Sequence, residues 1–220
     1  MNVLRGKDFL EKIDCHIPME RFGSNYGGWV LAPESMDKDS IVYSFGVGED
    51  ISFDLAIIKK FRVEVNAFDP TPKSIEWVKS QELPINFRFY EYGVADYDGE
   101  ATFYPPENPN HVSHSIVEID KTKNRTINLK VQRLSTIMKI FGHSYIDVLK
   151  MDIEGAEYAV IEDIRLSKIL PKQILVEFHH RFPNIGVEKS KDAIRNLRRM
   201  GYQLFSISDN GEEYSFILNN

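Results

Sequence analysis

Several features that would place the chain in a special class of protein are missing or scarce. The single cysteine, Cys15, excludes an internal disulfide and suits a reducing compartment, so we expect a cytoplasmic protein. No apolar run approaches the ~20 residues that a membrane-spanning helix needs. The first residues carry scattered charges without the apolar region of a signal peptide. We therefore expect neither a membrane span nor a secretory leader.

Positive charge is also in deficit. Asp and Glu number 33 against 27 Lys and Arg, which gives a net charge of −6. Because phosphate neutralisation dominates affinity for nucleic acid, the absence of a basic run argues against general nucleic-acid binding. The 220 residues, 42% of them hydrophobic, suffice for one domain with a sizeable core. We expect a single domain over 1–220, in which an aromatic and glycine-rich segment (1–40) precedes a core (41–220).

From residue 41 onward, short apolar runs alternate with amphipathic segments. The pattern predicts main strands at 41–45, 63–68, 86–92, 146–151 and 173–178, further strands at 101–104 and 126–131, and helices at 49–61, 73–80, 134–141, 156–166 and 187–200. The Asn210-Gly211 turn predicts a closing hairpin of 202–208 and 213–218. This order indicates an α/β fold with a Rossmann-like sheet that is mostly parallel, has a reversed C-terminal strand and carries helices on both faces. Ligands of such sheets lie beyond the carboxyl ends of the strands.

The loops after the first three core strands carry residues suited to a nucleotide. Gly46 and Gly48 form a tight turn at which backbone can approach a ligand, although Ile51 stands where a dinucleotide motif has its third glycine. Asp69 follows the second strand, where a carboxylate can accept both hydroxyl hydrogens of a ribose. Its alternative role is to cap the next helix. After the third strand, residues 93–95 either border an adenine or form a structural turn.

Carboxylates and histidines follow the fourth and fifth core strands. Asp152 opens a segment, 152–157, whose three carboxylates need solvent, a partner or a cation in order to lie together. Alternation along the fifth strand places Glu177 and His179 on one side. These residues are candidates for acid–base catalysis, with structural roles as the alternative. Asp152, Glu177 and His179 could also hold a divalent cation such as Mg²⁺, but their spacing is not diagnostic and no metal is predicted.

Four segments of the chain resemble the FkbM-type family of methyltransferases that use S-adenosylmethionine. In order, they are VYSFGVGEDISFD, NAFDPTP, VLKMDIEGAE and LVEFHH. The resemblance extends from about Tyr26 to the C-terminus and implies a class I methyltransferase fold. Many members of the family O-methylate sugars, polyketides or other small natural products. Two positions depart from the usual pattern, since Ser44 stands where most methyltransferases have an acidic residue and Asp50 replaces the usual last glycine.

The resemblance implies a role for each candidate residue. Asp69 would hold the ribose hydroxyls, and the glycine turn would approach the methionine part of the cofactor. The residues expected to bind the cofactor are Gly46, Val47, Gly48, Glu49, Ser52, Asp69, Gly93, Val94, Ala95, Asp152 and Tyr26. The catalytic candidates are His179 as the general base, Asp152 as the alternative base or its orienting partner, and Glu177. An insertion at 93–131 is expected to form part of the acceptor site, with His111, Ser113, His114 and Ser115 suited to hydroxyl recognition.

The expected function is therefore S-adenosylmethionine-dependent O-methylation of a sugar, a glycan or a related small natural product. Two alternatives stay open. One is a nicotinamide-dependent oxidoreductase, against which Ile51 and the carboxylates of 152–157 count. The other is a non-catalytic nucleotide-binding module that keeps the fold, since a fold does not by itself imply activity. The expected partner is a small-molecule or glycan acceptor, and no oligomeric state is predicted.

Overall fold

A computed structural model describes residues 8–104, 126–182 and 184–219 of the chain. Over these residues the strands are β1 Glu20–Phe22, β2 Trp29–Leu31, β3 Ile41–Phe45, β4 Glu64–Phe68, β5 Phe87–Tyr90, β6 Gly93–Val94, β7 Gly99–Phe103, β8 Ile127–Gln132, β9 Val148–Met151, β10 Gln173–Glu177, β11 Tyr202–Ile207 and β12 Glu213–Leu218. The helices are α1 Ser52–Phe61, α2 Pro72–Lys79, α3 Leu134–Phe141, α4 Glu157–Ser167 and α5 Val187–Arg199. The predicted core elements are thus present in their predicted order.

Seven strands form one twisted sheet in the order β11-β12-β10-β9-β3-β4-β5. The strands β10, β9, β3, β4 and β5 are parallel to one another. β12 is antiparallel to both β10 and β11, so it is the reversed strand that the hairpin predicted. The chain moves outward in one direction from β3 to β5 and then returns to β9 on the other side of β3. This change of direction leaves a crevice at the carboxyl ends of β3 and β9, where open α/β sheets bind their ligands.

Helices cover both faces of the sheet, as the sequence predicted. Tyr43 and Phe45 point to one face and pack with residues of α3, α4 and α5. Val42, the residue before Tyr43, points to the other face and packs with α1, α2 and the N-terminal strands. Because both faces are buried, the strands consist of nearly continuous apolar runs. Among the helices over the described residues, none combines the length and the apolarity needed to cross a membrane.

The N-terminal segment contains a short antiparallel hairpin, β1–β2, that the sequence pattern did not reveal. Its attachment to the main sheet depends on Gln173, a fully buried residue at the start of β10. The Gln173 amide accepts a hydrogen bond from the Ala32 N–H (2.8 Å) and donates to the Ala32 carbonyl (3.1 Å) and to Ser35 Oγ (2.7 Å). Removing this side chain would leave buried backbone groups unpaired. The residues that follow β2 are therefore fixed at the amino end of β10.

A second, three-stranded sheet has the order β6-β8-β7 and occupies the predicted insertion. β7 and β8 pair antiparallel, and β6 runs parallel to β8. The predicted hydroxyl-binding residues His111, Ser113, His114 and Ser115 lie outside the described residues. The role of the insertion in acceptor binding stays a prediction.

Candidate active site

A cleft of about 920 Å³ opens at the carboxyl ends of the central strands. Its volume falls in the range of small-molecule sites, roughly 300–1,000 Å³. The predicted residues that line it are Tyr26, Gly46, Val47, Gly48, Glu49, Asp69, Gly93, Val94, Asp152 and Glu177. Ser52, Ala95 and His179 lie outside its lining. The structure thus brings most of the candidate residues from five separate loops to one place.

The glycine turn after β3 rests directly on the backbone that follows β9. Gly46 has a φ of +80°, and a Cβ atom built on it would lie 1.6 Å from the carbonyl oxygen of Asp152. Gly48 also has a positive φ, +57°, but a Cβ there would meet no atom within 4 Å. Glycine at 46 is therefore required by the close contact of two strand ends. Glycine at 48 leaves the backbone open toward the cleft.

Asp69 ties the glycine turn to the start of α2. Its Oδ2 accepts hydrogen bonds from the N–H groups of Val47 and Gly48, both at 3.0 Å. Its Oδ1 accepts from the N–H (2.9 Å) and the hydroxyl (2.6 Å) of Thr71, the N-cap residue of α2, and α2 has no hydrogen bond from a capping side chain. The carboxylate is fixed at the cleft wall before any ligand binds. The predicted contact with ribose hydroxyls stays a prediction, since it requires sharing these oxygens.

The turn that carries Tyr26 is fastened to α1 at the mouth of the cleft. Ser24 Oγ donates to Asp50 Oδ2 (2.7 Å), and the Ser24 N–H donates to Ser52 Oγ (2.7 Å). Asp50 Oδ1 in turn accepts from the Ser52 N–H (2.7 Å). The Tyr26 side chain is left exposed beside the opening. Asp50, which replaces the usual glycine, thus has a structural role. Ser52 stabilises the same turn through its hydrogen bond with Ser24 and does not line the cleft.

Asp152 and Glu177 lie near each other on the cleft wall, at the ends of β9 and β10. Burial, reinforced by the negative charge of Asp152, raises the pKa of Glu177 to about 9. The raised pKa favours the protonated form of Glu177, which can donate a hydrogen bond, whereas an ionised carboxylate can only accept. The pair provides a hydrogen-bond donor and an acceptor on one wall.

His179 lies behind this wall and is only 6% exposed. Its Nδ1 lies 2.9 Å from Glu157 Oε1, and its Nε2 lies 3.4 Å from Glu154 Oε2 and 3.7 Å from Asp152 Oδ1. Burial lowers the pKa of His179, but the three carboxylates outweigh it and raise the pKa well above its ordinary value. The raised pKa favours the protonated ring, which cannot accept a further proton, and the ring lies outside the lining of the cleft. The role of His179 as the general base stays a prediction.

The buried carboxylate of Glu157 contacts both the loop that follows β9 and the residues that follow β10. It is fully buried, and its carboxylate accepts hydrogen bonds from the N–H groups of Ile153 (3.0 Å) and Gly155 (3.1 Å) as well as contacting His179. In the sequence, Glu157 is only one of the three carboxylates of the segment 152–157. Its long-range contact with His179, 22 residues away, has no signal in the local sequence.

A buried lysine and a buried aspartate under the glycine turn were also missed. Lys150 of β9 donates to the carbonyl oxygens of Phe45 and Gly46, and its Nζ lies 5.4 Å from the centre of the Trp29 ring. Asp54 of α1 is 3% exposed, and burial raises its pKa to about 6 against the opposing effect of Lys150. A lysine inside an apolar strand is not recognisable as a positioning group from sequence alone.

The raised pKa of the buried Asp54 carboxyl makes the stability of the fold depend on pH. Because its pKa rises from 3.8 to about 6 on folding, its contribution to stability is fully present below pH 3.8 and is lost as the pH rises through 6. The loss is about 3 kcal/mol, from 1.36 kcal/mol per pKa unit. We expect the free energy of unfolding of wild type, measured in urea relative to Asp54→Asn, to fall by this order between pH 4 and pH 7. A difference between the two proteins that is independent of pH would contradict this prediction.

The strand order, the reversed β12 and a cleft at the carboxyl ends of β3, β4, β9 and β10 together define the class I methyltransferase fold. Residues 40–204 match the family model described as the methyltransferase FkbM domain. The chain therefore belongs to the FkbM family of S-adenosylmethionine-dependent methyltransferases. Membership in this family sets aside the nicotinamide-dependent alternative.

The individual proteins to which the chain is similar share 30% or less of its sequence over the matched residues. The chain is 30% identical over 186 residues to the probable methyltransferase-like protein 24 of Homo sapiens, covering 80% of this chain and 44% of that protein. It is 28% identical over 196 residues to the Rattus norvegicus protein of the same description, covering 84% and 46%. The chain thus spans less than half the length of these relatives. Its fold is similar to the crystal structure of methyltransferase FkbM from Methylobacillus flagellatus KT, with a TM-score of 0.53, 14% identity, and coverage of 83% and 44%.

The residues of the cleft fit S-adenosylmethionine. The space in front of Gly48 is open, so the cofactor can lie close to the backbone there. Asp69 adds a carboxylate to the lining of the same cleft. The carboxylate of Asp152 and those of Glu49 and Glu154 suit the positive charges that the ammonium and sulfonium groups of this cofactor carry. The donor set and the size of the cleft therefore agree with the family.

Proposed function

We propose that the chain transfers a methyl group from S-adenosylmethionine to a hydroxyl oxygen of a sugar, a glycan or a related small natural product. The Asp152–Glu177 pair carries this proposal. With the pKa of Glu177 raised to about 9, the pair presents a protonated carboxyl beside Asp152. Neighbouring hydroxyls of a sugar match this pattern, because each hydroxyl both donates and accepts.

In this proposal Asp152 is the catalytic residue. S-adenosylmethionine supplies a methyl carbon activated by its bond to a sulfonium. Asp152 would accept a hydrogen bond from the acceptor hydroxyl and take up its proton as the methyl group passes from sulfur to oxygen, which leaves S-adenosylhomocysteine. Glu177 donates a hydrogen bond to a second hydroxyl and orients the acceptor. His179 is a positioning residue, since its ring is fixed by Glu157 and lies 3.7 Å from Asp152.

The glycine turn and Asp69 are proposed to hold the cofactor on the opposite side of the cleft. The cofactor lies close to the backbone of the glycine turn, Gly46, Val47 and Gly48. Asp69 accepts hydrogen bonds from its ribose hydroxyls. The hydrogen bonds of Asp69 to Val47 and Gly48 support this role, because they fix the carboxylate and the turn as one unit. Gly93 and Val94 border the adenine in this proposal.

Transfer of a labelled methyl group tests the proposed acceptor chemistry. The protein is incubated with methyl-labelled S-adenosylmethionine and a panel of sugars, sugar nucleotides and glycans, together with deoxy and amino analogues of each. We expect an O-methyl ether, identified by mass spectrometry, whose formation stops when the reacting hydroxyl is replaced by hydrogen. Methylation of the amino analogues alone would contradict a hydroxyl acceptor.

The proposal also places the reaction in the cytoplasm. Cys15 is a free and partly buried thiol, which suits a reducing compartment. Fractionation of cells that produce the natural gene product is expected to recover it with cytosolic markers. Recovery with secreted proteins would contradict this localisation.

A further inference from the structure

We propose that Asp152, Glu154 and His179 bind a divalent metal cation. Each offers one ligand atom, and these atoms all lie within 4.8 Å of one another. Ligand atoms around a single cation, bound at about 2.0–2.2 Å, lie no more than roughly 4.4 Å apart. His179 Nε2 is already 3.4 Å from Glu154 and 3.7 Å from Asp152, so a small movement of the carboxylates completes the geometry.

The imidazole of His179 distinguishes this cluster from an ordinary group of surface carboxylates. The ring is buried, with only 6% of the residue exposed, and its Nε2 is directed between Asp152 and Glu154. Both Nε2 distances exceed the 2.7–3.2 Å of a normal N–H···O hydrogen bond. This nitrogen is therefore directed at the space between two carboxylates without a well-formed hydrogen bond to either.

Glu157 supplies the support that a metal-binding histidine requires. Its carboxylate lies 2.9 Å from Nδ1 and accepts a hydrogen bond from the N–H there, so a cation that displaces the proton of Nε2 would meet the lone pair of that nitrogen. Metal-bound histidines almost always donate their second N–H to a carboxylate or carbonyl in this way. Glu157 also accepts from the N–H groups of Ile153 and Gly155, which fixes the loop that carries the other two ligands.

The ligand set indicates the class of cation. One imidazole and two carboxylates suit a first-row divalent ion such as Mn²⁺ better than Ca²⁺, which takes six to eight oxygens. Two ionised carboxylates balance the charge of the ion. Three protein ligands leave further coordination positions, which an acceptor hydroxyl can occupy with a lowered pKa. This role of the cation rests on the proposed function, but its binding does not.

Titration with Mn²⁺, followed by electron paramagnetic resonance, tests the site on the whole chain without cofactor or acceptor. We expect one bound Mn²⁺ per chain and a nitrogen modulation from the His179 ring. Glu154→Gln should weaken binding at least tenfold, and Glu157→Gln by about 10–100-fold. Asp209→Asn is the matched control, because it removes one exposed carboxylate from the β11–β12 turn and should leave binding unchanged.

Three outcomes would overturn the proposal. They are no binding of Mn²⁺ by the folded protein at millimolar concentration, binding that Glu154→Gln does not weaken, and bound Mn²⁺ without nitrogen modulation. Glu154 is partly exposed, so its glutamine variant should fold, and circular dichroism checks this. Because the titration contains no cofactor, a failure of methyl transfer leaves its result unaffected.

Discussion

Gly46→Ala is expected to destabilise the fold severely and to abolish cofactor binding. The new Cβ would lie 1.6 Å from the carbonyl oxygen and 2.7 Å from the carbonyl carbon of Asp152, and both are backbone atoms that no rotamer change can move. The φ of +80° adds the cost of a left-handed alanine, about 1–2 kcal/mol. Relief of the overlap requires the ends of β3 and β9 to separate. We therefore expect the free energy of unfolding to fall by more than about 4 kcal/mol. Losses of this size are exceptional for single substitutions and come from mechanisms such as steric overlap and backbone strain.

Gly48→Ala is the matched control for the predicted loss of stability. It lies in the same turn with a positive φ of +57°, but its Cβ would meet no atom within 4 Å. Its cost should therefore be limited to the backbone term of about 1–2 kcal/mol. Urea unfolding measures the loss for both variants, and calorimetry with S-adenosylhomocysteine measures binding. Equal losses for the two variants would show that the contact between the glycine turn and Asp152 is not essential.

Asp152→Asn is expected to reduce the rate of methyl transfer by about 10²–10⁴, the usual contribution of general acid–base catalysis. Asparagine keeps the shape of the side chain and can accept a hydrogen bond, but it cannot take up the proton of the acceptor hydroxyl. The loss should therefore appear mainly in kcat rather than in the KM for S-adenosylmethionine. Single-turnover measurements with labelled cofactor separate chemistry from product release.

Asp209→Asn again provides the control, because it removes the same charge from an exposed turn near the same end of the sheet. We expect its methyl transfer to equal that of wild type. A loss shared equally by both variants would mean that the overall field of the acidic surface, rather than the position of Asp152, determines the rate. Full activity in Asp152→Asn would remove this residue from the mechanism.

The sequence predicted the central sheet well because its signals are local. Continuous apolar runs identify parallel strands buried on both faces, and the bounds of β3, α3 and β12 agree with the predicted segments. The Asn210-Gly211 turn correctly placed the reversed strand. The order of the strands then brought most of the candidate residues to one cleft.

The parts that the sequence did not reveal depend on contacts between distant residues. Strands β1 and β2 have three residues each, too few for a periodic pattern, and are held by Gln173, more than 140 positions away from the Ala32 it contacts. Lys150 is one polar residue in an apolar strand, and nothing in the local sequence indicates that it contacts the carbonyl oxygens of Phe45 and Gly46. His179 was predicted as a base from its place at a strand end, but its protonation and orientation follow from Glu157, which only the fold brings beside it.

The cleft above β3, β4, β9 and β10 is proposed to bind S-adenosylmethionine beside Asp152. A crystal structure with S-adenosylhomocysteine would show whether it does. We predict the nucleoside along the glycine turn, with its ribose hydroxyls hydrogen-bonded to Asp69 and its sulfur directed toward Asp152. A ligand bound elsewhere, or a cleft that stays empty at saturating ligand, would contradict the account.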